Sequence, residues 1–215
     1  CKHLHLTALS ANLYEVVATA ETGHVSYLEL IKIRMDKEIN HRKQKDLQTR
    51  TKKARLPLNY NLDNYDFSLP NGIEKQQLNQ LRELKWLEKN FNVILMGPSG
   101  TGKTFIAAGL CFDALDKGYR AYFKTMEELI KILKPKDIIK KAATEYQRIM
   151  RSHLLVIDDI MMFRVTQSDA VAFFNLINEL HDKISIIITT NKSPKEWSAV
   201  LKDDVLTTAL LDRIL

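Results

Sequence analysis

The octapeptide Gly97-Pro98-Ser99-Gly100-Thr101-Gly102-Lys103-Thr104 fits the spacing GxxxxGK[ST], directly behind the apolar run Val93-Ile94-Leu95-Met96. Those residue types at that spacing suit one chemistry, the cradling of a phosphate chain. Gly100 and Gly102 let the backbone curl so that its N–H groups point inward, at the start of a helix whose first amides have no partner of their own. The Lys103 ammonium can then reach the outer phosphates, and the Thr104 hydroxyl can ligate Mg²⁺. With a strand before the loop and a helix after it, the pattern predicts a nucleotide site.

A nucleotide that is to be cleaved also needs carboxylates. The run Leu154-Leu155-Val156-Ile157 ends in Asp158-Asp159. Asp158 is expected to hold Mg²⁺ through water, and Asp159 to polarise an attacking water. Two acids at a strand end usually serve a turn or a helix cap, but the strict apolar run and the upstream loop favour the chemical role. A third apolar run, Ile184 to Thr190, ends in Asn191. A polar residue there can orient the attacking water beside the terminal phosphate, although Asn191 would equally serve to open a turn before Lys192-Ser193-Pro194. Arg213, in Ala209-Leu210-Leu211-Asp212-Arg213, is expected at the start of a C-terminal helix. From there an arginine can be donated to the nucleotide of a neighbouring subunit; alone it would be an ordinary surface arginine.

The elements that must position these groups follow from periodicity. Short apolar strands alternate with helices: strand 93–96, helix 103–116, strand 119–123, helices 125–133 and 137–151, strand 154–158, helix 168–181, strand 184–190. Such alternation predicts an α/β fold with a parallel sheet covered on both faces. A further helix is expected over 73–90. Before it, Leu6, Leu9, Leu13, Val16 and Val17 recur at helical spacing, and Ser26-Tyr27-Leu28-Glu29 is a capping-box pattern that opens a second, long helix ended by Pro57. Residues 1–56 thus read as a small helical domain with a basic arm, and 57–215 as the nucleotide domain, its first stretch a linker.

The 215 residues carry a net charge of +6, and its placement matters more than its size. Residues 31–55 hold ten Lys and Arg against three acids, among them Arg42, Lys43, Arg50, Lys52, Lys53 and Arg55. Residues 131–151 hold seven against two, among them Lys134, Lys136, Lys140 and Lys141. One such run is ordinarily a solvated helix face. Two beside a nucleotide site point to a polyanionic partner, nucleic acid. No apolar stretch reaches bilayer-spanning length and none resembles a secretory signal. Cys1 and Cys111, the only cysteines, make no disulfide framework, so a cytoplasmic protein is expected.

Taken in order, GPSGTGKT, LLVIDD, IIITTN and ALLDRIL resemble the Walker A, Walker B, sensor 1 and arginine-finger elements of AAA+ ATPases. The stretches NYDFS, KGYRAYFKTMEELI and EWSAVLKDDVLTTALLDRIL are similar to the IstB proteins, helper ATPases of insertion-sequence transposons and kin of the DnaC-type helicase loaders. The resemblance covers essentially the whole chain. It implies an AAA+ P-loop fold behind a small all-α domain, with ATP held by Gly97 to Thr104 and the adjoining Phe105. It implies Mg²⁺ at Thr104 and Asp158, hydrolysis by Lys103, Asp158, Asp159 and Asn191, and Arg213 as a finger acting on an adjacent subunit. It also implies ATP-dependent homo-oligomers on double-stranded DNA that bend the target and present it to a cognate transposase, whose contact stimulates hydrolysis. The helices between the second strand and Walker B, which carry Lys134, Lys136, Lys140 and Lys141, would face the DNA.

Two departures from the family pattern stand out. IstB-like chains usually carry Asp-Glu at Walker B, whereas this one carries Asp158-Asp159. The second acid is shorter by one methylene, about 1.5 Å, which suits slow, partner-dependent turnover. The sequence given stops two residues after Arg213, and a lid helix with a second sensor arginine is expected to be missing from it or truncated. The nearest alternative reading is a replicative helicase loader of the DnaC type, acting on single strands. A small-molecule kinase has no need of Asp158-Asp159, Asn191 and Arg213 together, and a non-catalytic DNA scaffold is kept open by the short Asp159.

Overall fold

The computed structural model describes residues 26–58, 60–68, 72–162 and 165–215. The helix expected over residues 4–20 lies outside them. The described chain belongs to two compact units, residues 1–49 and 50–215.

The first described element, α1 (Tyr27–Ala54), runs across the division between those units. It starts at Ser26, whose Oγ accepts the Glu29 N–H at 3.3 Å, as the capping pattern predicts. Its basic last turn carries Lys52 and Lys53. It ends at Arg55 in the left-handed region (φ 59°), two residues before Pro57.

In the second unit a strap leads from Pro57 through a 3-10 turn, Leu62–Asn64, to Tyr65 and Phe67. The helix expected over 73–90 is in fact two, α2 (Lys75–Arg82) and α3 (Lys85–Glu88). Leu84 breaks it in the left-handed conformation (φ 60°), where its side chain is almost wholly buried. Burial of that leucine outweighs the backbone preference, and periodicity does not register the break.

There follow β1 (Val93–Met96), α4 (Lys103–Asp116), β2 (Ala121–Thr125), α5 (Met126–Leu133), α6 (Lys140–Met150), β3 (Leu154–Asp158), α7 (Gln167–Leu180) and β4 (Ser185–Thr190). The four strands form one parallel sheet in the order β1-β4-β3-β2. Every residue of the two inner strands is buried. That is why they read as mostly apolar runs and not as alternating patterns. The register pairs Met96 with Thr190 and Thr125 with Asp158, so the carboxyl ends of all four strands share one edge of the sheet. Ligands of open parallel sheets bind at that edge.

Strand β2 lies two residues later than expected. Gly118 turns the chain at φ 97°, and the strand continues through Lys124, a fully buried lysine that looks like an end in the sequence. Thr125 then caps α5 in a capping box with Glu128. Two helices close the chain, α8 (Pro194–Leu201) and α9 (Asp204–Ile214). The first was not expected from sequence, although Ser193-Pro194 followed by Glu196 is a capping box with proline at N1. The second begins at Asp203, whose carboxylate accepts the Leu206 N–H at 2.8 Å. Arg213 therefore stands in the last turn of that helix, a correction to its expected place at the start. Among the described residues no helix is long and apolar enough to cross a membrane.

Candidate nucleotide-binding site

The loop between β1 and α4 leaves the sheet edge with Gly97, whose N–H donates to the Thr190 carbonyl at 3.2 Å. Gly100 (φ 85°) and Gly102 (φ 80°) take the left-handed backbone the loop requires. Two bonds close the loop on itself: Thr101 Oγ1 donates to the Pro98 carbonyl at 3.0 Å, and Lys103 Nζ donates to the same carbonyl at 2.7 Å. Helix α4 starts at Gly102 with no side-chain cap, which leaves its first amides for an anion.

The strap fixes this loop from one side. The Tyr65 hydroxyl donates to the Thr101 carbonyl at 3.1 Å. A Cβ on Gly102 would come within 2.8 Å of the Tyr65 ring. Further along α4, Leu62 fills the space where Gly109 lacks a side chain, and the rings of Tyr60 and Phe112 lie 4.8 Å apart. Arg82 of α2 ties the strap to α4, reaching Asp63 at 2.7 Å and Asp113 at 2.8 Å.

At the end of β3, Asp158 Oδ1 accepts two hydroxyl bonds, from Thr104 at 2.9 Å and from Thr189 at 2.5 Å. Burial raises the Asp158 pKa above its ordinary value, and the hydroxyl bonds from Thr189 and Thr104 oppose that shift. Asp159 is exposed, in the left-handed region (φ 55°), and its N–H donates to Thr189 Oγ1 at 2.9 Å. A cavity of about 630 Å³ is lined by Pro57, Leu58, Ser99, Gly100, Gly102, Lys103, Thr104, Phe105 and Asp159. It is large enough for a nucleotide. Leu58 and Phe105 also line an adjoining recess of about 460 Å³, with Tyr60, Asn61 and Asn64.

The structure thus brings the expected phosphate loop, Asp158 and Asp159 together at one sheet edge. Asn191 follows β4, the strand between β1 and β3, and is exposed. Arg213 is apart from the cavity lining: its Nε donates to Asn178 of α7 at 3.0 Å. The basic residues divide in the same way. Lys43, Lys52, Lys53, Lys140 and Lys141 are exposed. Lys134, Arg42 and Arg55 are exposed as well but have partners: Lys134 pairs with Asp169 at 2.8 Å, Arg42 bonds Glu38 and Arg55 is 4.0 Å from Glu145, while Lys136 lies 4.2 Å above the Tyr146 ring. Arg50 donates to the Leu115 carbonyl. Thr189, Tyr65 and Leu62 were not singled out from sequence. The only sign of Thr189 was a hydroxyl residue breaking the isoleucine run of β4.

Comparison with known proteins places this geometry. The family model for IstB-like ATP-binding proteins matches residues 1–215. The chain belongs to that family. An ATP-binding protein of an IS21-like insertion sequence from Bacteroides fragilis is 41% identical over all of this chain and 81% of its own length. An IS21 ATP-binding protein from Pseudomonas aeruginosa is 33% identical over 99% of this chain and 80% of its own. Among solved structures, AMPPCP-bound DnaA from Aquifex aeolicus superposes with a TM-score of 0.59 at 20% identity, over 74% of this chain and 49% of that one. The DnaC helicase loader does so with a TM-score of 0.58 at 20% identity, over 72% and 93%. These likenesses show the fold: this IstB-like chain has the α/β architecture of the AAA+ P-loop ATPases.

Proposed function

We propose that this IstB-like protein is an ATPase of insertion-sequence transposition, which assembles as a homo-oligomer on double-stranded DNA and presents that DNA to its cognate transposase. The observation that carries the enzymatic part is the cluster at Asp158. The Thr104 hydroxyl at the start of α4 reaches the same carboxylate that ends β3, and Asp159 lines the adjoining cavity. This donor set, a hydroxyl and a carboxylate beside a glycine loop, fits Mg²⁺ and a phosphate chain. When bound, Mg²⁺ supplies positive charge to the phosphate oxygens.

The chain's own residues do the rest. Backbone amides of residues 99–104 hold the phosphates. Lys103 exchanges its bond to the Pro98 carbonyl for the outer phosphate oxygens. Asp159 orients a water in line with the terminal phosphate and takes its proton, with Asn191 as a second hydrogen-bonding group. Water forms the new P–O bond as the bond to ADP breaks. Phe105 and the recess at Tyr60 and Asn64 receive the base and sugar.

For the DNA part, support comes from the match of this chain, over nearly all its length, to insertion-sequence ATP-binding proteins and from the exposed lysines of α1 and α6. Residues 57–215 are assigned as the ATPase domain and residues 1–56 as a helical domain with a basic arm. Arg213 is assigned to the nucleotide of an adjacent subunit. The test is ATP hydrolysis by wild type and Asp159→Asn, alone and with a long duplex. Hydrolysis that is raised by duplex and lost in the variant is expected; hydrolysis indifferent to the variant would remove the assigned base.

A further inference from the structure

The geometry points to Thr189 as a positioning residue that sets both acids of the nucleotide site; this rests on the reading of that site as an ATPase. Thr189 lies on β4, between β1 and β3, directly after Ile186, Ile187 and Ile188, and is wholly buried. A hydroxyl in such surroundings must be hydrogen-bonded or it destabilises the fold. The bonds it makes go to the two acids. Its oxygen accepts the Asp159 N–H at 2.9 Å and lies 2.5 Å from Asp158 Oδ1. An amide can only donate, and a threonine hydroxyl has one proton. An ionised carboxylate can only accept, so that proton goes to Asp158 Oδ1.

One side-chain atom thus touches the carboxylate of the first acid and the backbone of the second. The consequences differ for the two. Asp158 receives hydroxyls from Thr104 and Thr189 on the same oxygen, which pins the carboxylate about its own axis. Asp159 has a left-handed backbone that few non-glycine residues adopt, and the Thr189 oxygen holds its N–H in that conformation. Asp159, which lines the cavity, is held in place as a result. The next residue offers a contrast: Thr190 is equally buried, but its hydroxyl donates to the Ile160 carbonyl at 3.2 Å and accepts from the Lys192 N–H at 3.1 Å. It ties loops together and leaves the acids alone. Valine has the shape of threonine and suits a strand as well, so the strand itself has no need of the Thr189 oxygen.

The test compares Thr189→Val, Thr189→Ser and Thr189→Ala with wild type by three readouts. These are kcat and KM for ATP, the Mg²⁺ concentration that half-saturates binding of a fluorescent ATP analogue, and the thermal melt. Loss of a group that orients a metal-binding or reacting residue costs about 10–100-fold. Thr189→Val is expected to lower kcat by that factor with KM changed less than about threefold, and to raise the half-saturating Mg²⁺ concentration by about tenfold or more. Thr189→Ser should stay close to wild type. Wild-type kcat and Mg²⁺ dependence in Thr189→Val would overturn the proposal, as would a Thr189→Ser as impaired as Thr189→Val. If the valine variant does not fold, Thr189→Ser and Thr189→Ala, which differ by one oxygen, must still separate; equal behaviour refutes the role. Should wild type hydrolyse no ATP, the ATPase reading falls, while the Mg²⁺ dependence of nucleotide binding still decides what Thr189 does.

Discussion

Leu62 sits in a notch on α4 that exists because residue 109 has no side chain. A Cβ built on Gly109 would lie 2.2 Å from Leu62 Cγ, 2.4 Å from Cδ2 and 2.9 Å from Cδ1. These separations are far inside contact distance, and Gly109→Ala must therefore expel Leu62 or push the strap away. In a helix interior alanine is favoured over glycine by about 0.5–1 kcal/mol. Leu62 is only 3% exposed, and returning a buried leucine to water costs about 1.5–3 kcal/mol. The clash wins by about 0.5–2.5 kcal/mol, which for a domain of this size lowers Tm by about 1–10 °C. ATP affinity should fall as well, because the strap carries Pro57 and Leu58 on the cavity wall. Thermal unfolding of Gly109→Ala, Leu62→Ala and the double variant checks the sum. Leu62→Ala leaves a void that the new methyl group can occupy, so the double variant should be more stable than the two separate losses add up to. A Gly109→Ala protein more stable than wild type would mean that helix propensity prevails and that Leu62 does not occupy the notch.

Lys103→Ala should abolish ATP binding, measured by titration with a fluorescent analogue, while leaving Tm without nucleotide nearly unchanged, because its bond to Pro98 is exposed. Arg82→Met leaves Asp113 half-buried without its partner and should cost about 1–2 kcal/mol, read as a lower Tm; the Asp63 arm, largely exposed, contributes little of that. Lys52→Ala with Lys53→Ala should weaken duplex binding on every sequence and reduce the slope of log affinity against log salt by up to about two units, whereas a loss confined to one sequence would indicate base readout. Arg213→Ala should spare ATP binding and reduce hydrolysis only in the assembled state; its bond to Asn178 is exposed, so Tm should move little.

Much of the nucleotide domain is legible in the sequence because its inner strands are covered on both faces. Strands β1 and β3 and helix α4 have the bounds that the apolar runs and the glycine loop predict. The edge strand β2 was displaced because Lys124, buried with its charge, has the look of a loop residue. The break at Leu84 is a tertiary effect: burial overrides the backbone preference, and no periodicity reports it. At the site, the loop and the two acids follow from residue type and spacing, whereas Thr189 and Tyr65 matter through contacts across 31 and 36 residues of chain that only folding creates. Charge counting found the basic segments but could not tell Lys140 and Lys141 from Lys134, which is exposed like them but whose charge is met by Asp169.

The measurement that bears most directly on the central claim is sedimentation velocity of the protein with a duplex of several helical turns and with the matching single strand, each with ATP, with ADP and without nucleotide. A large complex that forms on duplex only with ATP, and that Lys103→Ala cannot form, is the predicted result. Assembly on single strands in preference to duplex, or on duplex whatever the nucleotide, would contradict it.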